Sequence, residues 1–211
     1  SEKEATSVYE HILKFANYGF NKSHSVVYAV IACRMAWLKA HYPLEFYSAI
    51  LQTGSSTCDS KFTDYLTEMK GRGLKILPPS INSSGLQFVI KDNALLFPLS
   101  SISGISDLFV ESVIQERSKG EFKDFFDFVT RMFSYKISDS QISKLIDAGA
   151  LDELYSSRTS MRLSIRNALQ FAELNYSPDG QLSLGIAAMV APSMPQEFDD
   201  PLDNLDREYE V

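Results

Sequence analysis

The stretch that decides the fold is FANYGFNKSH, residues 15–24, followed by the apolar run SVVYAVIACRMAWL at residues 25–38. Within that run the only charged side chain is Arg34. An apolar surface that extends round a whole helix is typical of a helix buried inside a protein. The sequence therefore predicts a long buried helix over about residues 25–40.

Polar side chains cluster at the start of this predicted helix, where Lys22, Ser23, His24 and Ser25 follow one another. A helix N-terminus carries unpaired N–H groups and a partial positive charge, and both attract anions. An ammonium group, an imidazole and hydroxyls strengthen that attraction. The cluster indicates either a triphosphate site or, equally, a serine cap on a core helix.

The spacing of apolar residues elsewhere predicts a mainly α fold. Ser7 and Glu10 have capping-box spacing and predict a first helix over about residues 8–16, while Ser138 and Gln141 predict another helix start. Further helices are expected at about residues 60–70, 107–117 and 122–133, the last being rich in core-type Phe. The only β element expected is one short hairpin, at about residues 86–99.

Two short glycine-centred turns separate predicted helices, ISGIS at residues 102–106 and AGA at residues 148–150. A hydrophobic-Gly-hydrophobic step is typical of a helix-hairpin-helix, in which a tight turn directs backbone N–H groups at a DNA phosphate. Ser106 stands where a second glycine is usual. The candidate DNA-binding residues of the two turns are Ser103, Gly104, Ile105, Ser106, Ala148, Gly149 and Ala150.

Three arginines recur every four residues after the second turn, at Arg158, Arg162 and Arg166. Their helix carries no matching series of carboxylates, so the sequence favours phosphate contact and a solvated charged face equally.

Acidic residues are concentrated at the end of the chain. The net charge is −7, yet residues 173–211 contain nine carboxylates and a single arginine, which leaves residues 1–172 at +1. A nearly neutral body neither supports nor excludes DNA contact, because local clusters of charge decide it. Low apolar content predicts that the acidic tail, residues 177–211, is largely flexible.

Three segments resemble bacterial replicative DNA polymerases of the C family in the same order. They are residues 15–46, similar to the rear of the polymerase fingers, GLKILPPSIN at residues 73–82, and LIDAGALDEL at residues 145–154. The resemblance implies a helical fingers segment (1–82), a tandem helix-hairpin-helix domain that binds duplex DNA (83–176), and the tail (177–211). It also implies nucleotide contacts by Asn21, Lys22, His24, Ser25 and Tyr28.

The resemblance extends to a short peptide in the tail. Gln181, Leu182, Ser183 and Leu184 are similar to the sliding-clamp-binding peptide of these polymerases, although Gly185 replaces its aromatic residue. The partners implied are primer-template duplex, an incoming dNTP, the sliding clamp and other replisome subunits. The absence of a long apolar run predicts a cytoplasmic location without a membrane partner.

Nucleotidyl transfer needs carboxylates that hold two Mg²⁺ ions, and the sequence contains no Asp-x-Asp motif. The nearest pairs, Asp124 with Asp127 and Asp199 with Asp200, are interpreted as surface charge. We therefore expect no catalytic residue, metal site or cofactor here, and expect Mg²⁺ to be held by a palm that precedes residue 1 of an intact polymerase. The alternative is a non-catalytic module of the replisome that binds a protein and not DNA.

Overall fold

The computed structural model describes residues 2–16, 21–53, 60–175 and 192–211. The fold is mainly α, as the sequence predicts, and the chain forms two compact units, Ser1–Phe46 and Tyr47–Val211. The three expected domains, 1–82, 83–176 and 177–211, stay a prediction. No helix within the described ranges is long and apolar enough to cross a membrane.

The first unit contains helices α1 (Glu2–Ala16) and α2 (Lys22–His41). Helix α1 begins six residues before the predicted start, with two glutamates in its first turn, where negative charge is favourable. The capping box expected at Ser7 is therefore not the helix start. Helix α2 begins after Asn21, whose side chain accepts a hydrogen bond from the Ser23 N–H at 3.1 Å. The cap is thus an asparagine and not the expected serine.

The expectation that α2 is a buried helix is wrong for this chain, because no residue of α2 is buried. Large apolar side chains remain about half exposed, including Val27, Tyr28 and Trp37 at 56%, 59% and 52%. A unit of 46 residues offers too little apolar surface to cover a helix that is apolar on every side.

Helices α3 (Pro43–Thr53) and α4 (Ser60–Gly71) precede a three-stranded sheet. Strands β2 (Val89–Lys91) and β3 (Ala94–Leu96) pair antiparallel, which confirms the predicted hairpin. Its turn residues Asp92 and Asn93 have φ of 51° and 58°, as a tight hairpin turn requires. The prediction missed β1 (Lys75–Leu77), which pairs parallel to β3 and ends at the Pro-Pro step.

The helical core follows the sheet. It contains a 3₁₀ turn at Leu99–Ser101 and helices α5 (Asp107–Arg117), α6 (Phe125–Phe133), α7 (Asp139–Asp147) and α8 (Arg158–Asn175). Helix α8 packs against both α6 and α7. The Phe-rich helix α6 is core, as expected, with Phe125 at 1% and Phe128 at 0% exposure. The Ser138 and Gln141 capping box of α7 is present.

A buried carboxylate joins α5 to α6. Glu116 is 7% exposed and accepts hydrogen bonds from Tyr135 at 3.0 Å and from Lys119, while Arg131 lies 3.6 Å away. Burial raises the pKa of Glu116, but the hydrogen bonds and these cations outweigh it and hold the pKa below its usual range. The carboxylate therefore stays ionised and cross-links the two helices.

The end of the chain is more regular than its composition predicts. Residues 192–200 have no regular secondary structure and lead into α9 (Pro201–Glu210), which contacts α7. The Asp200 side chain accepts a hydrogen bond from the Leu202 N–H at 2.9 Å, and Pro201 fits the first helical position. Local capping and ion pairs with the core, described below, add to the few apolar contacts of this segment, which Met194 and Val211 make with the core.

We expect Phe128→Ala to lower the free energy of unfolding of the second unit by about 3–5 kcal/mol, because it opens a cavity in the core. Phe198→Ala is the matched control, since Phe198 is 98% exposed, and should change it by less than about 0.5 kcal/mol. Urea unfolding measures both. Equal losses in the two variants would contradict the core described here.

Candidate nucleic-acid interface

The first glycine-centred turn is exposed and lies between the 3₁₀ turn and α5. Gly104 has φ of +80°, a left-handed conformation that side chains rarely adopt. Ile102 and Ile105 on either side are buried at 4% and 6%, while Ser103 and Gly104 face solvent. The apolar pair therefore anchors the turn and leaves its tip accessible to a ligand.

Ser106 has a structural role at this turn. Its φ is −84°, so this position needs no glycine, and its hydroxyl accepts a hydrogen bond from the Phe109 N–H at 3.3 Å as the N-cap of α5. The departure from a second glycine thus leaves the turn geometry intact.

Lys144 brings a positive charge to the first turn, and sequence reasoning missed it. A Cβ placed on Gly104 would collide with the Lys144 Nζ, with the side-chain carbons Cε and Cδ at 3.2 and 3.3 Å. Lys144 belongs to α7, the helix that precedes the second turn. The contact spans 40 residues, so no local pattern indicates it.

The second turn has the same left-handed glycine conformation as the first, but its glycine is buried. Gly149 has φ of +75°, and the N–H groups of Gly149 and Ala150 donate to Ile146 and Leu145 at 2.9 Å each. This pattern closes the end of α7. The Ala150 carbonyl also accepts a hydrogen bond from the Ile81 N–H at 2.9 Å. Gly149 is buried, unlike Gly104.

The Arg158 guanidinium covers Gly149. It donates two hydrogen bonds to the Asp152 carboxylate, at 2.8 and 2.6 Å, and others to the Asp147 carbonyl at 3.2 Å and to Glu208 at 2.5 Å. The hydrogen bonds that Arg158 donates to Asp152 raise its pKa further above the usual value, against the effect of burial, and the one donated to Glu208 adds to them. The cation is therefore permanently charged and held by carboxylates.

Arg162 is paired in a similar way. It donates to the Asp147 carboxylate at 2.9 Å and to the Asn204 side chain at 2.5 Å, and lies 3.4 Å from Asp203. Arg158 and Arg162 thus have carboxylate partners outside their own helix, at the end of α7, just after the second turn and on α9. Arg166, one turn further on, is exposed.

Asp199 joins the segment that precedes α9 to the start of α8. Its two carboxylate oxygens accept hydrogen bonds from the Arg158 N–H at 3.0 Å, the Thr159 N–H at 2.9 Å and the Ser157 hydroxyl at 3.0 Å. Partial burial raises the pKa of Asp199, but the hydrogen bonds from Thr159 and Arg158 outweigh it and hold the pKa far below its usual range. Asp199 therefore binds the N-terminal end of α8 through these hydrogen bonds and is not simple surface charge.

The residues expected to contact a nucleotide lie together at the exposed start of α2. Asn21 caps the helix, Lys22 opens it, and Ser25 donates to the Asn21 carbonyl at 3.3 Å. The His24 and Tyr28 rings meet edge to face with centroids 4.4 Å apart. The structure brings all five residues onto the first two turns of one helix. The expected clamp peptide, Gln181–Leu184, lies outside the described residues.

In the parts of the chain that the structure describes, no carboxylates lie together in an arrangement that could hold two metal ions. Within those ranges no group of three or more His, Cys, Asp or Glu side chains is arranged to hold a metal. Asp124 accepts from the Asp127 N–H at 2.9 Å as the cap of α6, and Asp127 lies 3.5 Å from Arg131. These two carboxylates, one a helix cap and the other beside an arginine, do not fit a Mg²⁺ site.

Comparison with known protein families shows the class of domain to which the two glycine turns belong. A family model described as a helix-hairpin-helix motif matches residues 73–161, which include both glycine turns. This region is therefore a helix-hairpin-helix domain.

The chain is also similar in sequence to DNA polymerase III alpha subunits of several bacteria. That of Bacillus subtilis is 40% identical over 85% of this chain, that of Vibrio cholerae 38% over 83%, and that of Escherichia coli K12 37% over 80%. The chain spans only 16%, 15% and 15% of their respective lengths. This chain belongs to the DNA polymerase III alpha subunits and corresponds to one segment of them.

We expect Gly149→Ala to destabilise the second unit by more than Gly73→Ala. Both glycines have φ of +75°, so both substitutions cost about 1–2 kcal/mol of backbone strain. Nothing lies within 4 Å of a Cβ at Gly73, whereas a Cβ at Gly149 would collide with the Arg158 guanidinium. Because the backbone strain is the same in both variants, the difference between their losses of unfolding free energy, measured with urea, reports the collision alone. Equal losses would show that Arg158 does not cover the turn.

The Asp199 contacts should depend on pH. The carboxylate has a lowered pKa in the folded state, so its stabilisation is complete above the unfolded value of about 3.9 and is lost as pH falls through the lowered folded value. Asp199→Asn keeps one of the two acceptors and should cost about 1 kcal/mol near neutral pH. The difference in Tm between wild type and variant should shrink below about pH 4. A pH-independent difference would contradict the assignment.

Proposed function

We propose that this chain is a DNA-handling segment of a bacterial replicative DNA polymerase. The observation that carries the proposal is its relation to DNA polymerase III alpha subunits, at 37–40% identity over 80–85% of the chain for the three named relatives. We further propose that the whole protein is a DNA-directed DNA polymerase of the bacterial cytoplasm that requires Mg²⁺, and that this segment alone is inactive because it lacks the palm carboxylates.

The first turn is the part of the interface best suited to bind duplex DNA. Ser103 and Gly104 are exposed, the backbone at Gly104 is left-handed, and the Lys144 ammonium lies beside it. Backbone N–H groups and a lysine contact phosphates without reading bases, which gives sequence-independent binding. Exposed Arg166 extends the positive surface along α8.

Two further contacts belong to this proposal. The cluster Asn21, Lys22, His24, Ser25 and Tyr28 binds the triphosphate and packs beside the incoming dNTP, supported by its position at an exposed helix N-terminus. Gln181, Leu182, Ser183 and Leu184 attach the protein to the sliding clamp, supported by their similarity to a clamp-binding peptide.

A second candidate is a replisome module that binds a protein and not DNA. The ion pairs of Arg158 and Arg162 favour it, because paired guanidinium groups are not available to phosphate. The half-exposed apolar side chains of α2 also favour a protein partner.

The two candidates are separated by titrating the chain with a fluorescent primer-template duplex at two salt concentrations. Binding through phosphates should be independent of sequence and weaken steeply with salt, because it releases counterions. Lys144→Gln should weaken binding and lower the salt slope by about 1.

Lys123→Gln is the matched control, since it removes one exposed positive charge outside both turns. It should leave the salt slope nearly unchanged. Equal effects of the two substitutions would rule out a specific role for the first turn. Absence of binding at low salt would favour the protein-binding module.

A further inference from the structure

The segment from Asp199 to Val211 lies on three of the candidate DNA-binding residues, Arg158, Arg162 and Ser103. Glu208 accepts a hydrogen bond from Arg158 at 2.5 Å, and Asp203 lies 3.4 Å from Arg162. At the other turn, the Val211 carbonyl accepts a hydrogen bond from the Ser103 N–H at 2.8 Å. The segment therefore contacts the first glycine turn and the first two turns of α8.

The chemistry of these contacts is that of a DNA backbone. The donors are guanidinium groups and a backbone N–H at a hairpin, which are the groups that bind phosphate oxygens in protein–DNA complexes. The acceptors are carboxylate, amide and carbonyl oxygens on a segment with seven acidic residues and one arginine between residues 192 and 211. A polyanionic segment thus occupies donors suited to a polyanionic ligand.

Docking of the segment covers the two arginines. The side chains of Arg158 and Arg162 are only 11% and 14% exposed. Arg158 already donates to Asp152, to the Asp147 carbonyl and to Glu208, so a phosphate reaches it only after Glu208 leaves. Glu208 and Asp203, in contrast, are 43% and 48% exposed and lie on the outer side of these pairs.

We propose that residues 199–211 are an intramolecular competitor of DNA, so that docking of this segment and binding of the DNA backbone at Arg158, Arg162 and Ser103 exclude each other. The proposal rests on the proposed function and adds regulation to the same site. The apparent affinity for DNA is reduced by the fraction of molecules in which the segment is docked.

The test removes the competing charges. In the double variant Asp203→Asn, Glu208→Gln the ion pairs with α8 are lost while both side chains keep their size. Duplex DNA should bind the 211-residue chain about three- to tenfold more tightly than wild type, because weakening two partly exposed pairs releases the arginines.

The matched control is Glu197→Gln, Asp206→Asn. Both side chains are exposed and removing them changes the net charge by the same amount, which accounts for general repulsion between the chain and DNA. The control should change the affinity by less than about twofold. Equal gains in the two double variants would overturn the competition and leave the proposed function standing. A failure of all three proteins to bind DNA would overturn both.

A second measurement uses the wild-type chain. Amide hydrogen exchange within α9 should rise when saturating duplex DNA is added, because DNA displaces the helix from α7 and α8. Unchanged protection of α9 in a chain that has bound DNA would overturn the proposal, whatever the affinity of the variants.

Discussion

The arrangement of the second half of the molecule depends on one buried guanidinium group. Arg158 covers the left-handed Gly149, joins Asp152 to the end of α7 through the Asp147 carbonyl, and binds Glu208 of α9. A cation with 11% side-chain exposure is costly unless several acceptors compensate its lost hydration. The turn, the helix end and an anionic acceptor at the place of Glu208 are therefore all needed to keep Arg158 satisfied.

The features that the sequence predicted depend on residues a few positions apart. The Ser138 and Gln141 capping box, the Phe128 face of α6 and the glycine at each turn follow from helical spacing and from backbone conformations that only glycine adopts easily. The partners of Arg158 could not be found in this way. Glu208 is 50 residues distant in sequence, so no spacing within the arginine helix indicates it.

Burial was the least predictable property, because it depends on what surrounds an element and not on the element alone. Helix α2 has the composition of a core helix and is exposed, since its own compact unit is small. The acidic segment has the composition of a flexible tail, yet α9 is capped by Asp200 and held by ion pairs. Composition describes the surface that an element can offer, while the presence of a complementary surface decides whether it is used.

The two glycine turns share a backbone conformation but differ in the charges around them. Gly104 is exposed beside the Lys144 ammonium, which is compact and partly exposed, while Gly149 is buried beneath a guanidinium that three carboxylate or carbonyl groups already surround. A duplex that approaches this domain meets only one turn with an accessible cation. Contact at Gly104 needs no rearrangement of the arginines, and contact at Gly149 requires α9 to move. Under the proposed competition, Lys144 is therefore the cation that DNA can reach first, while contact at Ser103 and Arg158 uses part of the binding energy to displace the protein's own acidic segment.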